Sequence, residues 1–253
     1  MNGLFCVRKA RNPLAAGLAR PRTASSRGVS GSIEGNDRQE VPVKEARRRD
    51  PARKALILTA AAELISRNGY HTVGMADIGR AAGIVGSGIY RHFDSKSAIL
   101  ADLLEQVMDQ LSHAASTIVD KAGDDRLAVS ELIANHARVA IHDRRILQVY
   151  HREARNLPEN DLRRLRRAQR HYIEEWVAAV APLRPGLADG EIRVLVHAAI
   201  GSIQSILFYN SGLPEPQLTE LLTGTAHACL GVDAAPAAHL VEPAEEWHDE
   251  QGA

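Results

Sequence analysis

The chain has 253 residues, no net formal charge, 45% hydrophobic residues and only 4% aromatic ones. That length suits one large domain or two smaller ones, and an overall charge of zero does not by itself call for a polyanion or membrane partner. The two cysteines, Cys6 and Cys229, fit neither a disulfide framework nor a metal-binding C-x-x-C pair, so a reducing cytoplasm is the expected setting.

Residues 1–50 mix Gly, Pro, Ser and Arg without a helical period and are expected to be a disordered arm. The arm is basic: eleven Lys/Arg stand against five acids. It lacks the continuous apolar core of a secretory signal. From Arg53 the pattern changes. Leu56, Ile57, Ala60, Ala61, Leu64 and Ile65 mark one helix face, stopped at Asn68-Gly69. A second short helix fits Met75–Ala82 and ends at Gly83, and a third fits Gly86–His92. Ser95 can cap the long amphipathic helix that follows, with Ile99, Leu100, Leu103, Leu104, Val107, Met108, Leu111 and Ile118 at three- and four-residue spacing.

The remainder repeats the theme. The segments "LAVSELIANHARVAIH", "RRILQVYHREARNL", "DLRRLRRAQRHYIEEWVAAV", "DGEIRVLVHAAIGSIQSILFYNSG" and "EPQLTELLTGTAHACLG" each read as helix. About nine helices and no convincing strand make the chain all-α. From Val232 it turns Ala/Pro/Glu-rich, and residues 232–253 are expected to be a disordered tail. No run of 18 apolar residues is found, so no membrane span is expected.

The stretch "AAGIVGSGIYRHFDSK" (81–96) holds three glycines and decides the function class. A dinucleotide fingerprint needs a third glycine where Arg91 stands, and a preceding strand where "MADIGRAAG" reads as helix. A P-loop lacks its Lys, and a nucleophile elbow fails because Val85 and Ile89 flank the Ser87 neighbourhood. A helix-turn-helix fits. Ala81 and Ala82 would allow close approach at the turn. The second helix would bury Ile84, Ile89 and Phe93 and expose Gly86, Ser87, Gly88, Tyr90, Arg91 and His92. Tyr90, His92 and Lys96 are candidate phosphate contacts; Arg91 and Ser87 are candidates for base edges.

The ordered pattern in "ILTAAAELISRNGYHTVGMADIGRAAGIVGSGIYRHFDSKSAILADLL" (57–104) resembles the TetR family of transcriptional regulators. The resemblance implies an all-α homodimer: a three-helix DNA-binding domain with a helix-turn-helix (51–98), then a helical ligand-binding and dimerisation domain (99–231). It implies repression of a double-stranded DNA operator, relieved when a small molecule binds. Positions 74 and 76, where Gly74 and Ala76 replace the family's usual hydroxyl- and Arg-bearing opening of the second helix, join the candidate DNA contacts. Val85 stands where the family usually has Ser or Thr. With Gly86 and Gly88 in place of bulkier residues, few side-chain donors remain, so backbone amides, Arg91 and the basic Arg47–Arg49 are expected to add to recognition.

"VYHREARNLPENDLRRLRRAQRHYIEEW" is similar to members that control lipid breakdown and respond to acyl-CoA. His136, Tyr150, Glu153, Asn156, Tyr172, Trp176, His197 and Gln204 are the candidate polar groups of an otherwise apolar ligand pocket; the alternative is that they satisfy one another in a helical core. Arg163, Arg164, Arg166, Arg167 and Arg170 are either a solvated helix face or a clamp for CoA phosphates. His171 and Glu174 have a metal-competent spacing without a second pair, so no metal and no cofactor is expected. Small residues Ala198, Gly201, Ser202 and Ser205 suit a two-fold helical interface. Control of an efflux pump is the alternative role for a regulator of this kind, and a helical CoA- or metal-dependent enzyme the alternative class.

Overall fold

The computed structural model describes residues 51–84 and 86–235. The basic arm with Arg47–Arg49 and Cys6, Val85, and the tail beyond Ala235 lie outside them. The described residues form eight α-helices: α1 (Pro51–Asn68), α2 (Met75–Ala81), α3 (Lys96–Lys121), α4 (Asp125–His142), α5 (Arg144–Glu153), α6 (Glu159–Val180), α7 (Asp189–Gln204) and α8 (Glu215–Leu230). Between them lie 3₁₀ turns at Gly86–Arg91, Ala154–Asn156, Ala181–Leu183 and Ser205–Phe208. Among the described residues there is no strand, in keeping with the all-α expectation.

The helix starts follow local chemistry. Asp77 reaches back so that its Oδ2 accepts from the Gly74 amide at 3.0 Å, opening α2. Ser95 Oγ accepts from the Ala98 amide at 3.1 Å and caps α3; Asp124 Oδ1 accepts from the Leu127 amide at 2.8 Å and caps α4. Such caps each stabilise a helix by roughly 0.5–2 kcal/mol.

Helices α1 and α2, the Gly86–Arg91 turn and the start of α3 pack around Ile57, Ala61, Ile65, Ile78, Ile89 and Phe93. The long helix α3 continues into a bundle with α4, α6, α7 and α8, filled by Leu103, Leu104, Val129, Ile133, Trp176, Val196 and Ile203. At 26 residues α3 is about 39 Å long, so it runs from the first group of helices through the second.

Three expectations change here. The segment Gly86–Arg91 is a 3₁₀ turn rather than an α-helix. The stretch Asp189–Phe208 does have the length and hydropathy (mean 1.3) of a membrane span. Ile192, Val196, Ala199, Ile200 and Ile203 on its inner face are buried in the bundle, which accounts for much of its apolar character. Its C-terminal end also breaks from the helix earlier than the sequence pattern suggests, at Gln204.

Candidate functional site

The turn after α2 explains the shape of the first candidate surface. Gly86 has φ +61°, a left-handed conformation that disfavours other residues. Gly88 is buried, not exposed as expected: a Cβ there would sit 2.7 Å from Ile84 Cγ2. The close approach between α2 and this turn falls at buried Gly79, which faces Ile89, rather than at Ala81 and Ala82. Ile89 and Phe93 are buried as anticipated, while Ile84 is half-buried.

With those residues as the floor, Gly86, Ser87, Tyr90 and Arg91 face outward; Tyr90 is 55% exposed. Ala76 on α2 is also exposed, and Gly74 is half-buried. His92 is half-buried and its Nδ1 is enclosed without a hydrogen-bond partner. Lys96 has a structural task. Its Nζ donates to the Tyr70 carbonyl at 2.6 Å and the Val73 carbonyl at 2.7 Å, and lies 4.2 Å from the Tyr70 ring centroid. An ammonium has three N–H bonds, so these two carbonyls leave one of them untaken.

The second set of candidates divides into three places. His136 (α4), Tyr172 and Trp176 (α6) and Gln204 (α7) come together inside the bundle. A hydrogen bond of 2.8 Å joins His136 Nδ1 and the Tyr172 hydroxyl, and Gln204 Nε2 lies 3.2 Å from His136 Nε2. Because the Gln204 nitrogen has only hydrogens to offer, His136 Nε2 accepts and the ring proton sits on Nδ1, pointing to Tyr172. The His136 and Tyr172 rings stack at 5.8 Å, with Trp176 edge-on at 6.1 Å to His136. Burial, helped by nearby His151, pulls the His136 pKa down to about 4. Burial raises the Tyr172 phenol well above its usual value, opposed in part by the Trp176 N–H beside it. That N–H is fully enclosed yet has no hydrogen bond of normal geometry. Tyr150 (α5) is half-buried, its phenol pushed up to about 12 by burial.

Glu153 and Asn156 are elsewhere. Asn156 Nδ2 donates to Glu153 Oε2 at 2.6 Å, and Asn156 Oδ1 lies 3.0 Å from His71 Nε2, in the loop before α2. These two residues face the first helical group rather than the buried cluster. His197 is a surface residue of α7 and is not part of the cluster either. Sequence reasoning missed three groups around α5: Arg144, whose guanidinium donates to the carbonyls of Leu207 (3.2 Å) and Tyr209 (3.0 Å); Gln148, which also donates to the Leu207 carbonyl; and Arg152, 4.6 Å over the Phe208 ring. Their clue lay in "RRILQVYHRE", where Arg144, Gln148 and Arg152 recur every four residues along one stripe of α5, but their partners are about sixty residues away.

Of the arginines on α6, Arg163 pairs with Glu159 and Arg164 with Glu105 and Asp161; Arg166, Arg167 and Arg170 are exposed. The His171–Glu174 spacing is not used as a pair: Glu174 takes both ends of the Arg193 guanidinium, and His171 faces Glu175 at 3.6 Å. On α7 and α8, Val194 is 66% and Leu221 53% exposed, in line with the small exposed residues Ala198, Gly201, Ser205 and Gly224.

Residues 57–103, the part built around the Gly86–Arg91 turn, match the family model described as "Bacterial regulatory proteins, tetR family". That segment carries the N-terminal domain of the TetR family of bacterial regulatory proteins. The chain is 27% identical over 142 residues to the HTH-type transcriptional repressor KstR2 of Rhodococcus jostii, covering 56% of this chain and 68% of that one. It is 27% identical over 99 residues to the fatty acid metabolism regulator protein of Bacillus subtilis, 39% of this chain and 51% of the relative. The fold is also that of AibR, solved with isovaleryl coenzyme A and operator DNA: TM-score 0.60, 17% identity, 68% of this chain and 96% of AibR. The matched family model and the relatives named here are described as transcriptional regulators.

Proposed function

We propose that this regulator represses genes of lipid or fatty-acid metabolism and is released from its operator by a hydrophobic small molecule such as an acyl-CoA. The observation that carries the ligand half is the His136–Tyr172–Trp176–Gln204 cluster: a chain of neutral polar groups inside an apolar bundle, with an enclosed indole N–H that meets the Tyr172 oxygen only in poor geometry. An unmet buried donor costs roughly 1–3 kcal/mol, and a ligand carbonyl or hydroxyl would remove that cost. We include Tyr150, half-buried on α5, as a further polar group for this ligand. The named roles of the fatty acid regulator and of AibR support the choice of ligand class.

DNA is read by the outward face of Gly86–Arg91. Ser87 and Arg91 approach base edges; Tyr90, His92 and the remaining N–H of Lys96 meet phosphates, with Gly74 and Ala76 at the edge of the contact. The chain acts as a homodimer through the exposed face of α7 and α8. Ligand binding shifts the population between DNA-binding and released forms only through its differential affinity for the two.

A thermal-shift screen with acyl-CoAs of graded chain length, repeated with DNA from upstream of the chain's own gene, tests this. The expected result is a ligand that raises the unfolding midpoint and frees the DNA. Stabilisation by acyl-CoAs with no effect on bound DNA, or no stabilisation by any of them, would reject the inducer class.

A further inference from the structure

The loop between α1 and α2 is held from two directions. On one side Lys96, at the start of α3, grips the Tyr70 and Val73 carbonyls. On the other, Asn156, in the turn between α5 and α6, meets His71 Nε2 at 3.0 Å across 85 residues of sequence. Asn156 is itself oriented, because its Nδ2 donates to Glu153 Oε2 at 2.6 Å and so turns its Oδ1 outward to His71. An amide oxygen only accepts, so His71 must present Nε2–H. The Glu153 carboxylate also lies just beneath the loop: a Cβ on Gly69 would come within 3.8 Å of its Oε1.

The two grips differ in kind. Lys96 is charged, half-buried and doubly bonded within the first helical group. The Asn156–His71 bond is single, exposed and joins that group to the helices carrying the buried cluster. A shift of α5 against α3 can therefore leave the Lys96 contacts whole while breaking the Asn156 contact. We infer that Asn156, oriented by Glu153, is a positioning residue that sets operator affinity by holding His71 and the loop that leads into α2. This rests on the proposed reading of the Gly86–Arg91 face as the DNA-contacting surface.

The test uses the full chain and the tightest-binding duplex from a set tiled across the DNA upstream of its gene, followed by fluorescence anisotropy over a salt series. Asn156→Ala and His71→Ala are each expected to weaken binding about three- to tenfold, the size of one net hydrogen bond. The double variant should bind no more weakly than the weaker single one, because both remove the same contact. His71→Gln, whose amide nitrogen can stand in for Nε2–H, should bind within about twofold of the parent. The slope of log affinity against log salt should stay constant throughout, since no phosphate contact is lost. A slope reduced by about one in His71→Ala would make His71 a phosphate contact and overturn the inference. Single variants with parental affinity, or additive losses in the double variant, would overturn it as well. If Asn156→Ala does not fold, the His71 pair of variants carries the same comparison. A parent chain that binds no duplex at all would instead bring down the DNA-binding reading on which the inference rests.

Discussion

His136 and Tyr172 hold each other by a 2.8 Å hydrogen bond at the centre of the helical bundle, where His136 is 1% and Tyr172 3% exposed. Tyr172→Phe keeps the ring and removes the oxygen that His136 Nδ1–H needs. The expected loss is about 1–3 kcal/mol of stability, the cost of an enclosed unpaired donor, read as a lower midpoint in urea. A midpoint equal to the parent's would show that the pair is not structurally important.

The same histidine predicts a pH dependence. Its folded pKa is about 4, below the 6.5 of the unfolded chain. Above pH 6.5 neither state binds this proton and its contribution is constant. Below 6.5 the unfolded state takes the proton first, so stability falls as pH drops towards 4 and then levels off. The whole effect is about 3 kcal/mol, at 1.36 kcal/mol per unit. In His136→Gln that part of the acid loss should vanish; an unchanged difference in stability between pH 7 and pH 4 would contradict it.

Gly88 has no room for a methyl group, because Ile84 Cγ2 would lie 2.7 Å away. Gly88→Ala should lower stability by about 1–3 kcal/mol as an overpacking change and weaken DNA binding by displacing the Tyr90–Arg91 face. Pairing it with Ile84→Leu, which removes the branch methyl, should recover part of the thermal midpoint. No recovery would place the strain elsewhere.

Arg91 and Lys96 should behave differently in DNA-binding assays. Arg91→Ala is expected to cost about 1–3 kcal/mol on the best operator and to relax the preference at one base pair. Lys96→Met should weaken binding to all sequences and lower the salt slope by about one if its free N–H meets a phosphate. It should also lower the melting temperature, since the Tyr70 and Val73 carbonyls lose a charged donor. An Arg91→Ala variant with uniformly weakened binding and unchanged preference would make Arg91 a backbone contact.

Leu221→Glu puts a charge on the exposed apolar face shared by α7 and α8. Sedimentation velocity at micromolar concentration should show a dimer for the parent and a monomer for the variant. A parent that sediments as a monomer would reject this interface.

Much of the architecture was legible from the residues in order. Helix spans, the cap at Ser95 and the burial of Ile89 and Phe93 follow from spacing and from short-range hydrogen-bonding chemistry, both of which act within a few residues. The pattern in residues 57–104 also carried the TetR-family resemblance, because its turn and helix signals come in a fixed order. Tertiary structure alone decided the rest. Gly88 is buried because Ile84 folds back over it, and Gly86 opens a 3₁₀ turn where periodicity suggested an α-helix. Among the polar residues of the C-terminal half, His136, Tyr172, Trp176 and Gln204 converge, while Glu153 and Asn156 face His71 and His197 faces outward. Periodicity tells which side of a helix is apolar; it does not tell which other helix that side meets. Those pairings depend on how the helices cross, and with partners 36, 68 and 85 residues apart they are set by packing of the whole bundle rather than by any local run of sequence.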